Sequence, residues 1–137
     1  MADKGYARVK VSLANGVVTC DPDGVFLFWV DGPDNIWWDL SGLPATVARA
    51  TVAFATKVPA KYGSTSPGFQ PGGVFAGVKT AVGVGQSRDL VTTGNNQKKG
   101  YFFYDLTLYA ANDKELGKTD PGGDNDPTPP SSGWPPG

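Results

Sequence analysis

Polar and apolar residues alternate along "YARVKVSL", with Val9, Val11 and Leu13 on one face and Arg8, Lys10 and Ser12 on the other. That period of two marks a half-buried strand. Asn15-Gly16 is a strong two-residue hairpin signal, so "VVTC" is expected to return antiparallel. "DPDG" at 21–24 turns the chain again, Pro22 fixing φ and Gly24 accepting a left-handed backbone. "VFLFWV", 25–30, is apolar on both faces and predicts a central strand. After "DGPDN" comes "IWWDL", in which Ile36, Trp38 and Leu40 share a face. Alternation assigns Trp38 to the core and puts Trp37 with Asp39 on the opposite side.

Further along, "ATVARATVAFATKV" mixes alanine with β-branched residues and is read as a strand. Residues 59–73 form a loop long enough to be functional or mobile. "VFAGVKTAVGV" puts Val74, Ala76, Val78, Thr80, Val82 and Val84 on one face of a strand. Its other face carries Gly77, Gly83 and Gly85, a pattern of close backbone approach or a bulge. In "YFFYDLTLYA", Phe102, Tyr104, Leu106 and Leu108 face one way and Tyr101, Phe103, Asp105, Thr107 and Tyr109 the other. About seven short strands with little helix predict an all-β fold, an antiparallel β-sandwich over residues 1–118. A partly closed barrel is the alternative. Residues 119–137 hold six prolines and one large apolar side chain, Trp134, and read as an irregular Pro/Gly-rich tail.

Composition narrows the classes. In 137 residues, 39% are hydrophobic, including 7 Phe, 5 Tyr and 4 Trp, which is enough to fill a core. The 19 Gly and 12 Pro demand many turns. The net charge of −1 divides unevenly: residues 1–45 carry three Lys/Arg against six Asp, 46–118 nine against four acids, and 119–137 three Asp and no base. An acidic tail and a basic middle attract one another, within a chain or between copies. Lys98-Lys99 is the only adjacent basic pair, far short of a phosphate-binding track, so no nucleic acid partner is expected. One cysteine, Cys20, permits no internal disulfide. The N-terminal stretch lacks the apolar run of a signal peptide and no window is long enough for a membrane-spanning helix, so a cytoplasmic location is expected.

Without histidine there is no Ser-His-Asp or Cys-His nucleophile and no His-ligated zinc or copper, and no cofactor is expected. "GVGQSRD", 83–89, lacks the third glycine of a phosphate loop and reads as a turn. Asp120, Asp124 and Asp126, with Asn125, offer hard oxygen donors for calcium. Their spacing misses the calcium-loop pattern, and turn chemistry explains them first. Glu115, the only glutamate, lies in "NDKELGK", read as a helical turn or loop. Asp39 and Asp105 stand beside aromatics, where a carboxyl can act as an acid, although nothing in the sequence pairs them. The expected activity is non-enzymatic.

The face opposite the core carries Trp37 and Asp39 on one strand and Tyr101, Phe103 and Tyr109 on another, an aromatic surface that invites a partner. With Trp134, these are the candidate binding residues. The expectation is self-association, as a homo-oligomer or with a protein partner, through that face and the proline-rich arm. Carbohydrate stacking on the same rings is the alternative. "DPDGVFLFWVDGPDNIWWDL" resembles the early part of cupredoxin-like and immunoglobulin-like sandwiches, and "YFFYDLTLY" is similar to the end of small bacterial sandwich proteins. The resemblance implies a sandwich; the blue-copper ligands, two His and a Cys, are not available in a chain without His.

Overall fold

A computed structural model describes residues 5–30, 32–57, 69–78, 81–83 and 89–125. They form eleven strands and no helix: β1 (Tyr6–Ala14), β2 (Val17–Asp21), β3 (Gly24–Leu27), β4 (Asn35–Asp39), β5 (Arg49–Phe54), β6 (Phe75–Val78), β7 (Ala81–Gly83), β8 (Asp89–Asn95), β9 (Gly100–Tyr109), β10 (Glu115–Thr119) and β11 (Gly122–Asn125). One sheet runs β2-β1-β4-β8-β6 and the other β3-β11-β9-β5-β7, with β10 also on β9. The expected β-sandwich is therefore what the chain forms, with more strands than the seven read from its sequence. Two pairings, β1 with β4 and β11 with β3, are parallel in an otherwise antiparallel arrangement.

The first hairpin forms as its turn dictates. Asn15 and Gly16 take φ of 53° and 75°, the left-handed pair that matches strand twist, and Leu13 faces Val18 while Val11 faces Cys20. Alternation then builds the core. Val9, Val11, Ile36, Trp38, Leu40, Phe102, Tyr104, Leu106 and Leu108 are all essentially inaccessible to solvent. Trp38 meets Tyr104 edge-on at 5.1 Å between ring centroids, and Phe54 lies 5.8 Å from Phe102. Such edge-to-face contacts add about 0.5–1.5 kcal/mol each beyond the area they bury.

Three segments depart from the expectations. "VFAGVKTAVGV" is two strands, not one: β6 pairs β8 in the first sheet and β7 pairs β5 in the second. Glu115 opens β10, an extended partner of β9, so "NDKELGK" is a hairpin turn and strand rather than a helical turn. β11 lies between β9 and β3, so the sandwich continues through Asn125 and the boundary expected at 118/119 falls inside β10. Pro121 breaks the ladder between β10 and β11, and both strands use the same edge of β9 in succession.

A polar cluster ties the two sheets at one end. Asn95 on β8 donates to Asn125 Oδ1 at 2.7 Å, and Asn125 on β11 donates back to Asn95 Oδ1 at 3.0 Å and to the Lys98 carbonyl at 2.9 Å. Asn95 Nδ2 also donates to the Asp34 carbonyl, and Thr92 donates to Asn35 Oδ1 while accepting from the Ile36 amide. Asn125, Asn35 and Thr92 are fully buried, and each finds hydrogen bonds there, as buried polar groups must.

Candidate binding surfaces

The sequence placed Trp37, Asp39, Tyr101, Phe103 and Tyr109 on outward faces, and the structure divides them between opposite sides of the sandwich. Trp37 and Asp39 lie on β4 in the middle of the first sheet; Tyr101, Phe103 and Tyr109 lie on β9 in the second. They do not make one surface. Trp134 and Asp126 lie outside the described residues, as do Gly85 and most of "GVGQSRD".

On β4, Trp37 stands in register with Arg8 of β1, whose guanidinium carbon sits 5.6 Å from the indole centroid. Arg8 also donates from Nε to Asp39 Oδ2 at 2.9 Å and closes an ion pair there. The Ser41 amide donates to the other Asp39 oxygen at 2.9 Å. Hydrogen bonds from Ser41, then from Arg8, hold the Asp39 carboxyl down at a pKa of about 2. Asp39 is thus a structural anion, the reverse of a raised-pKa acid. It also stands on the sheet opposite Asp105 of β9, so the two carboxylates are not a catalytic pair.

The β9 aromatics are covered by the chain's own loop. Phe69 makes an isolated bridge to Tyr101, Gln70 N–H donates to the Tyr101 carbonyl at 2.9 Å, and the Phe69 ring lies 5.8 Å from Tyr101 and 6.1 Å from Phe103. Tyr101 and Phe103 are only 5% and 1% exposed, against the expectation of an open aromatic face. Burial raises the Tyr101 phenol above its ordinary pKa. Tyr109 is occupied in another way: Arg49, its register partner on β5, stacks 4.2 Å from the ring and pairs with Asp113 at 3.0 Å.

Asp124 sits within β11, in register with Phe26 and Tyr101, and Asp120 precedes the strand. No group of three His, Cys, Asp or Glu close enough to share an ion occurs among the described residues.

Three large apolar side chains that face water lie in the run expected to form a central strand. "VFLFWV" is not a central strand: β3 ends at Leu27 and lies at the edge of its sheet. Val25 and Leu27 point inward, whereas Phe26, Phe28 and Val30 are 43%, 38% and 65% exposed. Past Leu27 the chain curls into a loop closed by Phe28 N–H to the Pro33 carbonyl at 2.9 Å and Gly32 N–H to the Phe28 carbonyl at 2.7 Å. The signal was present in the bracketing "DPDG" and "DGPD", since prolines and charges crowd edge strands.

No family model matches the chain, and no curated protein matches it. Among solved structures it is similar to the PKD domain (329–428) of human KIAA0319, at 12% identity and a TM-score of 0.40 over 95% of this chain and 93% of that one.

Proposed function

We propose that this chain is a non-enzymatic structural or assembly module that associates with copies of itself. The observation that carries the reading is the row of exposed apolar side chains, Phe26, Phe28 and Val30, on an edge strand and the loop that follows it. Apolar edges are sites where sheets recruit partners. The C-terminal arm, residues 126–137, is the second contact element of this reading. Support for a non-enzymatic role comes from the absence of histidine, from the placement of Asp39 and Asp105 on opposite sheets, and from the lowered pKa of Asp39. Carbohydrate stacking needs open ring faces, and Phe69, Arg8 and Arg49 occupy those of the described candidates.

Sedimentation equilibrium of the full chain over a range of concentrations tests the reading. A dimer or larger species is expected, and Phe28→Ser shifts it toward monomer. A wild-type chain that stays monomeric throughout overturns self-association.

A further inference from the structure

We propose that Asn15 is a self-modifying site: the Gly16 nitrogen closes on the Asn15 side chain, ammonia leaves, and the products remodel the β1–β2 turn. The proposal is independent of the self-association reading above.

The chain has six asparagines, and the side chains of five are held. Asn35 donates to Asp34 and accepts from Thr92, and Asn95 and Asn125 donate to each other. The Asn96 and Asn112 oxygens accept from the amides of Lys98 at 2.9 Å and Lys114 at 3.1 Å. Among the described residues, Asn15 is the one asparagine whose side chain makes no hydrogen bond. It is also the one followed by glycine.

The turn presents both reacting groups. Asn15 and Gly16 are exposed at the two left-handed positions of the hairpin. The ladder closes at Ala14 and Val17, so the Gly16 amide lies outside it and its proton is open to base. Gly16 has no Cβ to crowd the attacking nitrogen, and nothing lies within 4 Å of where one would stand. The other five must first break a side-chain hydrogen bond, which slows closure by up to about tenfold.

Hydroxide takes the Gly16 amide proton, and the nitrogen attacks Asn15 Cγ. The N–Cγ bond forms, the Cγ–Nδ2 bond breaks, and Nδ2 takes a proton to leave as ammonia. Water then opens the cyclic imide. Attack at Cγ gives aspartate; attack at the main-chain carbonyl carbon gives isoaspartate, in which the chain runs through Cβ and Cγ. The sum is amide plus water to carboxylate plus ammonium, with nothing oxidised or reduced.

The two products differ in consequence. Asp-Gly fits the same turn as Asn-Gly, so aspartate adds a negative charge and keeps the hairpin. Isoaspartate adds a main-chain methylene to a two-residue loop, and loop length sets hairpin register. The turn has little room for it. A Cβ on Gly117 would lie 3.1 Å from the Gly16 carbonyl oxygen and 2.6 Å from Val18 Cγ2. β10 thus backs against this end of the hairpin, and a displaced turn loosens the seam between β2 and β10.

The test incubates full-length protein under native conditions and maps it by mass spectrometry, with fragmentation on either side of residue 15. A gain of about 1 Da is expected at Asn15. It should accumulate about tenfold or more faster than at any other asparagine, and about tenfold faster for each unit of pH. The isoaspartate fraction, separated by chromatography, is expected to have a lower urea midpoint, and Asn15→Asp a midpoint like that of fresh wild type. Asn15→Gly keeps a turn of the same type and is expected to show neither the gain at 15 nor the loss of stability on ageing. A gain that comes first at another asparagine, or at Asn15 only after urea unfolding, overturns the site. An isoaspartate fraction as stable as fresh protein overturns the remodelling of the turn.

Discussion

Asn95 and Asn125 donate to each other's side-chain oxygens across the sandwich, at 2.7 and 3.0 Å. This reciprocal amide pair joins β8 of one sheet to β11 of the other, and it explains why a glycine- and aspartate-rich segment is held as a strand. Asn125→Ala removes the reciprocal partner of the half-buried Asn95 amide and the side-chain donor to the Lys98 carbonyl. The expected loss is about 1–3 kcal/mol, read as a lower urea midpoint with little change in slope. Asn125→Asp is expected to cost at least as much, because a carboxylate cannot donate to the Asn95 or Lys98 oxygens. A variant as stable as wild type would mean that the two sheets are not tied here.

Asp39 gives the acid limb of stability a specific origin. Its ordinary pKa is 3.8 and its folded value about 2. A group lowered on folding contributes stability above its unfolded value, and that contribution is lost as pH falls toward the folded one. The urea midpoint of wild type minus that of Asp39→Asn is therefore expected to be positive at neutral pH and to shrink between about pH 4 and pH 2. Hydrogen bonds from Ser41 are the largest cause and the exposed Arg8 a lesser one, so salt is expected to reduce the difference only slightly. A difference independent of pH would remove Asp39 from the acid limb.

Phe69 is expected to be the cover of the β9 aromatics. Phe69→Ala strips the ring that lies over Tyr101 and Phe103 and opens both to water. For a half-buried phenylalanine the cost is about 1–2 kcal/mol, below the range for a fully buried one. Binding of a hydrophobic dye to the native state should rise in parallel. Unchanged stability and dye binding would mean that the loop does not cover this face in solution.

Cys20 is buried opposite Val11 and beside Tyr104. Burial pushes its thiol up to about 12, so the thiolate that reacts is scarce and shielded. Native protein is expected to react with a disulfide reagent at least about a hundredfold more slowly than urea-unfolded protein. Equal rates would place the thiol at the surface.

The first hairpin and most of the strand faces were legible in the sequence because they follow from local rules. Asn15-Gly16 set the first register, and the alternation of Ile36, Trp38 and Leu40 or of Phe102 to Leu108 sorted inside from outside. The misreadings share one cause: strand order is a long-range property. "VFLFWV" has the composition of a central strand, yet its neighbour is β11, almost a hundred residues away, and no pattern within the run reveals that it is an edge. The same holds for the aromatics of β9, whose alternation was right and whose exposure was not, since Phe69 arrives from a distant loop. Trp37 illustrates both sides. Its outward face was fixed by period two, while its cover, Arg8, came from a parallel pairing with β1 that local sequence does not encode.

Gly123 offers the sharpest test of the β11 placement. It stands in register with Phe102 and Val25, facing inward. A Cβ added there would lie 2.4 Å from Phe102 Cζ and 2.7 Å from Val25 Cγ2, inside van der Waals contact with two buried side chains. Neither neighbour is free to retreat in a close-packed core. Gly123→Ala is thus expected to destabilise by about 1–3 kcal/mol through overpacking. If residues 119–125 belonged to a loose tail, the same substitution would change stability by less than about 0.5 kcal/mol, as at ordinary surface sites. Gly123→Ala combined with Phe102→Leu provides the internal check. The smaller side chain vacates the clash, so the pair should cost less than the sum of the two single changes. Strict additivity would place Gly123 away from Phe102 and remove β11 from the sheet.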